Sequence, residues 1–247
     1  MQISDILFER FQTRDTYKLV YARTLAALRA IAPKITKYRD GEYYAGDVMS
    51  ELSFVLDAIL HDIMADRIRY LFFVLKQTDG AHPSGSIYRP GNGNTIFILA
   101  FPKAWVSDTP NMFYYQVRDN GKQWAGAIAA TFVHELVHLE QQLRQGDRIP
   151  RGGHRLHGAD DPATYLANDD EIGAQAVSTA LELIQWAGDA QTALKYFLRT
   201  GSLAGLAAST LIPHLTQNYR YLRSNRPVWN RYLKAVIWNL QQHLETA

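Results

Sequence analysis

A chain of 247 residues, of which 47% are hydrophobic, is long enough to bury a substantial core in one domain. Its formal net charge is +2, from 26 basic and 24 acidic side chains, so the balance requires neither nucleic acid nor an anionic membrane as a partner. The chain has no cysteine, which excludes disulfides, thiolate zinc sites, iron–sulfur clusters and cysteine nucleophiles. Any metal site must therefore use His, Asp or Glu.

The N-terminal sequence MQISDILFERFQTRD carries charges within its first ten residues and has no apolar run that leads to a small-residue cleavage site. The longest apolar stretches, around Leu71–Leu75 and Ala125–Val133, are too short to span a bilayer. The sequence therefore predicts a cytoplasmic protein that does not cross a membrane.

The first 77 residues are predicted to form helices, because apolar residues recur at helical spacing before and after a break at Pro33 and continue in that rhythm to Leu75. Residues 78–94 are rich in Gly, Pro, Ser and Asn and predict a loop or a hairpin. The β-branched and aromatic segment Thr95–Pro102 predicts a strand, and its proline indicates that the strand ends there or lies at a sheet edge.

Helices are predicted for most of the remaining chain, at 122–145, 169–187, 190–199, 204–221 and 227–244. The sequence thus predicts one mainly helical (α+β) domain over 1–247, with a short β-sheet. Its parts are N-terminal helices (1–77), a loop and β element (78–117), metal-site helices (118–188) and C-terminal helices (189–247).

The pentapeptide HELVH at 134–138 lies within one of these predicted helices. At 100° per residue, His134 and His138 are about 40° apart on one face, and an apolar stripe covers the opposite face. Two imidazoles one turn apart suit Zn²⁺, and Glu135 flanks them as a general base for a metal-activated water. The alternative is a chance combination of these residues on a buried helix.

A catalytic zinc keeps three protein ligands and one open position, so a third ligand is needed. Glu171, in the first turn of the helix predicted from Asp169, is the candidate. In one alternative, Asn168 and Glu171 form a capping box in which the glutamate bonds only backbone. In another, Asp169 or Asp170 is the ligand, or both simply favour the positive end of the helix.

A HExxH helix followed by a helix that carries Glu171 resembles the gluzincin type of zinc metallopeptidase, above all its short members in bacteria and bacteriophages. The resemblance covers roughly residues 94–187 and its specific element is the HExxH motif. It implies a zincin-like core whose edge strand, here Asn94–Phe101, binds peptide by strand addition. In that family an acidic residue four positions after the glutamate ligand often orients a histidine. Here Gln175, a neutral partner, holds that position.

The resemblance also implies a Tyr or His that stabilises the oxyanion of the tetrahedral intermediate. Tyr165, His154 and His157 are the candidates, because they lie between the two metal-bearing helices. The alternatives are a packing tyrosine and solvent-exposed loop histidines.

The sequence therefore predicts a zinc peptidase that cleaves peptide or protein substrates, with His134, His138 and Glu171 as ligands and Glu135 as the base. One alternative is hydrolysis of a non-peptide amide. Another is a non-catalytic structural or interaction protein, for instance part of a phage particle, that retains the zincin fold and its metal. A fourth ligand from the loop histidines would favour that reading. The basic and aromatic stretch 219–234 is typical of a solvated helix face, which argues against nucleic acid as a partner.

Overall fold

The structure, a computed structural model, describes residues 16–31, 45–64, 68, 70–78, 84–89, 94–102, 110–145, 162–199, 203–207 and 212–245. Within these ranges the chain is mainly helical and carries one three-stranded sheet, as the sequence predicts. It divides into two compact units, Met1–Ala125 and Gly126–Ala247. The single domain predicted over 1–247 stays a prediction. No helix among the described residues has the length and apolar character that crossing a bilayer requires.

Among its described residues, the first unit contains two helices and the sheet. They are α1 (16–31), α2 (Ala45–Met64), β1 (Leu71–Thr78), β2 (Ser84–Tyr88) and β3 (Thr95–Pro102). The strand order is β1-β3-β2, with β3 parallel to β1 and antiparallel to β2. One set of alternate residues on β3 is buried and the other is half-buried, so the two faces of the sheet differ.

The strand predicted at Thr95–Pro102 is confirmed as β3, but its predicted edge position is wrong. It pairs with β1 on one side and with β2 on the other, so the backbone groups that a peptide would use for strand addition are already bonded. The predicted helical rhythm through Leu75 is also wrong, because Leu71–Thr78 forms β1. A short apolar run fits either structure, and pairing along the whole of β3 selects the strand.

Helix α3 (Pro110–Gln145) begins in the first unit and continues into the second. Its end at Gln145 is as predicted, whereas the predicted start at Lys122 is wrong, because Asp119, Asn120 and Gly121 lie inside the helix. A glycine in a helix interior costs only about 1 kcal/mol, which a long helix tolerates.

Six further helices follow in the described part of the second unit. They are α4 (Pro162–Leu166), α5 (Asp169–Ala187), α6 (Ala190–Arg199), α7 (Leu203–Ala207), α8 (Pro213–Leu222) and α9 (Arg226–Glu245). The bounds of α5 and α6 are as predicted, and those of α9 differ by one residue at each end. Helix α9 packs on α5, α6 and α8 around an apolar core that includes Leu166, Phe197, Leu215, Tyr232 and Val236. Gly188 caps the C-terminus of helix α5, and its positive φ of 93° is a conformation that favours glycine.

Candidate metal centre

The two histidines of the HExxH motif point their ring nitrogens at each other. Both lie on α3, and the Nε2 atoms of His134 and His138 are 3.1 Å apart. The rings meet edge to face, with centroids 4.6 Å apart. His134 is buried, and the side chain of His138 is 12% exposed. The histidine face of α3 is thus nearly as well covered as its apolar face.

Glu171 from the first turn of α5 joins the two histidines. Its Oε1 lies 3.0 Å from His138 Nε2 and its Oε2 lies 3.5 Å from His134 Nε2. One ligand atom from each of the three residues lies within 4.8 Å of the others. The carboxylate predicted as the third ligand is therefore beside the two imidazoles.

The capping at the start of α5 leaves Glu171 available for this contact. Asn168 is the N-cap, and its side-chain oxygen accepts a hydrogen bond of 2.9 Å from the backbone N–H of Asp170. The Glu171 carboxylate contacts the two histidines, whereas a capping-box glutamate bonds a backbone N–H of the cap. Asp169 pairs with Arg231 of α9 and is mostly exposed, so it is not part of the cluster.

Close packing of α5 on α3 sets the distance between the ligands. Ser178 of α5 donates a hydrogen bond of 3.1 Å to the backbone oxygen of Ala130 on α3. Small buried residues stand on both helices in this region, among them Ala129, Ala130 and Ala174. Side chains of this size let two helix backbones approach closely, which brings Glu171 within reach of the histidines.

The ligand atoms fit a tetrahedral ion. Ligands at about 2.0–2.1 Å from tetrahedral Zn²⁺ lie about 3.3 Å from one another. The two Nε2 atoms lie 3.1 Å apart, close to that value, and each of them has a different carboxylate oxygen of Glu171 nearby, Oε1 at 3.0 Å from His138 and Oε2 at 3.5 Å from His134. Within the described structure, Glu171 Oε2 is buried without a hydrogen-bond partner. Two imidazole nitrogens and a carboxylate oxygen are a donor set that a divalent cation would satisfy.

The cluster contains one ion pair, which His138 and Glu171 form. Burial lowers the pKa of His134 to about 4 and keeps that ring neutral, the form that binds metals. Burial alone would lower the pKa of His138, but the hydrogen bond and charge of Glu171 outweigh it and raise that pKa to about 9. Burial alone would raise the pKa of Glu171, but its contacts with both histidines hold it well below its usual range. In the metal-free protein the proton of the cluster therefore resides on His138.

Glu135 is a buried acid beside this cluster. Desolvation raises the pKa of its carboxyl to about 7, although the charges of His138 and His214 act in the opposite direction. A carboxyl with a pKa near neutrality both accepts and releases a proton under physiological conditions. The general base predicted at this position stays a prediction.

Gln141 contacts one ligand directly. Its Oε1 lies 2.8 Å from His138 Nδ1, the ring nitrogen that faces away from the cluster. Its Nε2 donates a hydrogen bond of 3.1 Å to the backbone oxygen of Asp170 on α5. The side chain thus links the two helices that carry the ligands.

A third histidine, which sequence reasoning missed, lies next to the site. The ring of His214 on α8 stacks on that of His134, with centroids 5.8 Å apart and planes 27° from parallel. Glu182 of α5 holds it by two contacts, 2.6 Å to Nδ1 and 3.1 Å from the backbone N–H. Burial alone would lower the pKa of His214, but the charge and hydrogen bond of Glu182 outweigh it and raise that pKa.

The sequence of α5 contains a pattern that indicates one member of the Glu182–His214 pair. Glu171, Gln175 and Glu182 recur at helical spacing on one face of a largely apolar helix, and all three are buried. Each therefore requires a polar partner from another element. The pattern identifies Glu182 as a partnered residue, but its partner on α8 is distant in sequence.

Gln175 has a partner other than a histidine. Its Oε1 accepts a hydrogen bond of 2.9 Å from Asn218, which also donates 2.8 Å to the backbone oxygen of His214. The Nδ1 atom of His134 is buried and has no hydrogen-bond partner in the described structure. The orienting role of the acidic residue in gluzincins therefore has no counterpart at Gln175.

Three predicted site residues remain predictions. His154 and His157 lie outside the described residues. Tyr165 lies in α4, but its side chain is also outside what the structure describes.

The basic and aromatic residues of 219–234 form contacts among themselves. The Arg223 guanidinium lies 5.0 Å from the ring centre of Tyr219, and that of Arg220 lies 5.4 Å from the ring centre of Tyr221. These arginines stack on tyrosines of their own helical region.

A scan against protein-family models finds no match, and neither do searches of curated proteins and of solved structures. Inferences about function therefore depend on the geometry of the chain itself.

Proposed function

We propose that the protein is a zinc-dependent hydrolase that cleaves amide bonds, with peptides or proteins as its substrates and a gluzincin-type site. The observation that carries the proposal is the convergence of His134, His138 and Glu171 at separations that fit a tetrahedral ion. The next residue after the first histidine is a buried carboxyl with a pKa near 7. Ligands and base thus occur together in one cluster.

Zinc is the proposed metal because the donor set contains nitrogen and oxygen but no sulfur, and imidazole-rich three-ligand sites of this kind suit it. When bound, Zn²⁺ polarises a carbonyl and lowers the pKa of a coordinated water. His134 is already neutral in the metal-free protein, His138 would supply a neutral imidazole once it has released its proton, and Glu171 would supply a carboxylate that its contacts with both histidines keep ionised.

Glu135 is the proposed proton carrier. Burial raises the pKa of its carboxyl to about 7 in the metal-free protein. Beside a bound metal, the carboxylate would take a proton from the attacking water, and the resulting acid would return it to the leaving amine. A metal site with a purely structural role has no use for such a group, since burying an acid with a raised pKa destabilises the folded state above the usual pKa. The position of Glu135 therefore favours catalysis over a structural role.

His214 is the proposed donor to the oxyanion. Glu182 engages Nδ1, so the opposite nitrogen, Nε2, is the one available to a substrate. The charge of Glu182 favours the protonated ring, which is a hydrogen-bond donor at Nε2. His214 does not belong to the group whose ligand atoms lie within 4.8 Å of one another, so it is not counted as a fourth ligand.

Metal content and hydrolysis test the proposal together. The purified protein is expected to retain one zinc ion by mass spectrometry, His138→Ala and Glu171→Ala to lose it, and Glu135→Gln to keep it. His61→Ala is the matched control, because this histidine lies on α2, outside the cluster, and half of its side chain is exposed.

The same variants are then incubated with a peptide mixture, and products are identified by mass spectrometry. We expect cleavage by the wild type and by His61→Ala, and a loss of at least about 100-fold in Glu135→Gln. Full activity in Glu135→Gln with its metal bound would overturn the mechanism. Bound zinc with no hydrolysis of peptides or of other amides in the wild type would support the non-catalytic alternative instead.

A further inference from the structure

We infer that Gln141 is a positioning residue that fixes the ring of His138 and links it to the turn that carries Glu171, so that the site is assembled before the ion arrives. The inference rests on the proposed function, because it assigns a role within the metal site. The two hydrogen bonds of one amide group carry it.

The orientation of the Gln141 amide follows from its partner on α5. The backbone oxygen of Asp170 only accepts hydrogen bonds, so the atom 3.1 Å from it must be the amide nitrogen of Gln141. The amide oxygen then faces His138 Nδ1 at 2.8 Å. An oxygen only accepts, so Nδ1 must carry a hydrogen.

This arrangement decides which nitrogen of His138 is available to a metal. With a hydrogen on Nδ1, the neutral ring has its lone pair on Nε2, the atom that faces His134 and Glu171. The backbone oxygen of Asp170 on α5 thereby determines, through the side chain of Gln141, which ring nitrogen of His138 on α3 carries the hydrogen. The neutral ring needs no rearrangement when it becomes a ligand.

The same side chain positions Glu171. The oxygen that Gln141 contacts belongs to the peptide bond between Asp170 and Glu171, so the contact lies immediately before the third ligand. A Cβ added at Gly173 would lie 3.5 Å from Gln141 Nε2, an ordinary contact distance, so the amide lies against the first turn of α5. Gln141 therefore joins the backbone of one ligand to the ring of another.

His134 has no equivalent support within the described structure, where its Nδ1 is buried without a hydrogen-bond partner. Of the two imidazole ligands, His138 is thus the one whose ring is oriented by a side-chain hydrogen bond. Loss of a group that orients a metal-binding histidine typically weakens metal binding by 10- to 100-fold. We expect Gln141 to have an effect of that size.

Three variants of the full chain separate the contributions. Gln141→Met keeps the length of the side chain and removes both hydrogen bonds. Gln141→Glu keeps an oxygen that accepts from His138 Nδ1 but no longer donates to Asp170. Gln175→Met is the matched control, because it removes another buried glutamine that bonds Asn218 rather than a ligand.

Zinc affinity is measured on metal-stripped protein by competition with a chromogenic chelator. We expect Gln141→Met to bind Zn²⁺ roughly 10- to 100-fold more weakly than the wild type, and Gln141→Glu to recover at least about fivefold of that loss. Gln175→Met is expected to bind within about threefold of the wild type. Gln141→Met binding within twofold of the wild type would overturn the inference. If that variant does not fold, a loss of more than about 100-fold in Gln141→Glu would overturn it.

The tautomer of His138 is measured without metal by nitrogen–proton NMR, at a pH above the end of the ring's own titration in the same spectra, where the ring is neutral. The wild type and Gln141→Glu are expected to carry the hydrogen on Nδ1, and Gln141→Met to populate the other tautomer. A wild-type ring with its hydrogen on Nε2 would overturn the inference. A wild type that shows the Nδ1 tautomer but binds no zinc would instead overturn the proposed function.

Discussion

Replacement of Glu135 by glutamine should make the metal-free protein more stable at alkaline pH. Desolvation raises the pKa of this buried carboxyl from 4.5 to about 7 in the folded state. Below pH 4.5 the carboxyl is protonated in both the folded and the unfolded chain, so it adds no pH dependence there. Between pH 4.5 and 7 the unfolded chain loses the proton first, so the free energy of unfolding falls as pH rises.

The size of the effect follows from the difference in pKa. One pKa unit is equivalent to 1.36 kcal/mol, so a rise of about 2.5 units costs roughly 3 kcal/mol once both states are ionised. Glutamine does not titrate. The unfolding free energy of Glu135→Gln minus that of the wild type should therefore increase by roughly 3 kcal/mol between about pH 4.5 and about pH 8.

The measurement is urea denaturation of both proteins at the two pH values, with a chelator present. The low-pH measurement is the internal control, because it reports any difference in packing between the two side chains. A difference that stays constant within about 0.5 kcal/mol would show that Glu135 is not the buried acid described here.

Three further predictions follow from the same contacts. Zinc binding at about pH 7 should release about one proton, because the raised pKa of His138 keeps its ring protonated in the metal-free protein. Calorimetry in two buffers of different ionisation enthalpy measures the number of protons released, and a value of zero would contradict this prediction. The pKa of His214 should fall in Glu182→Gln, because the charge of Glu182 raises it in the wild type. The alkaline limb of the pH–activity profile should therefore move to lower pH, and a limb that does not move would exclude His214 as the donor. Tyr232→Phe should destabilise the protein by about 1–2 kcal/mol, because it removes a 2.7 Å hydrogen bond to the buried hydroxyl of Thr179. The midpoint of thermal unfolding measures this, and an unchanged midpoint would show that the hydrogen bond does not stabilise the fold.

The sequence alone predicts the parts of the site that depend on local spacing. His134 and His138 are one helical turn apart, so any helix through them presents both rings on one face. Glu171 was found because its helix has a recognisable start at Asn168, and α5 has the predicted bounds. The prediction that this carboxylate joins the histidines needed an additional chemical premise, the three-ligand requirement of zinc.

The errors concern contacts between residues distant in sequence. Leu71–Thr78 has the apolar character of a buried helix segment as much as that of a strand, and its pairing with β3 is absent from its own sequence. The same pairing makes β3 central, so of the two outcomes that Pro102 predicted, the end of the strand is observed and the edge position is not. His214 was missed for a related reason, because its partner Glu182 belongs to another helix.

The buried polar residues of α5 contact three neighbouring helices, α3, α8 and α9. Glu171 contacts the histidines of α3, and Ser178 bonds a backbone oxygen of the same helix. Glu182 bonds His214 of α8, and Thr179 bonds Tyr232 of α9.

Apolar contacts alone would tolerate a shift of α5 along its axis, because one aliphatic side chain replaces another at little cost. A shift of one residue would separate every one of these polar pairs, and each buried group left unpaired costs about 1–3 kcal/mol. The same polar face that carries Glu171, the proposed third ligand, therefore determines the register of α5. Pairs that do not touch the histidines, such as Thr179 with Tyr232, also contribute to holding Glu171 beside them.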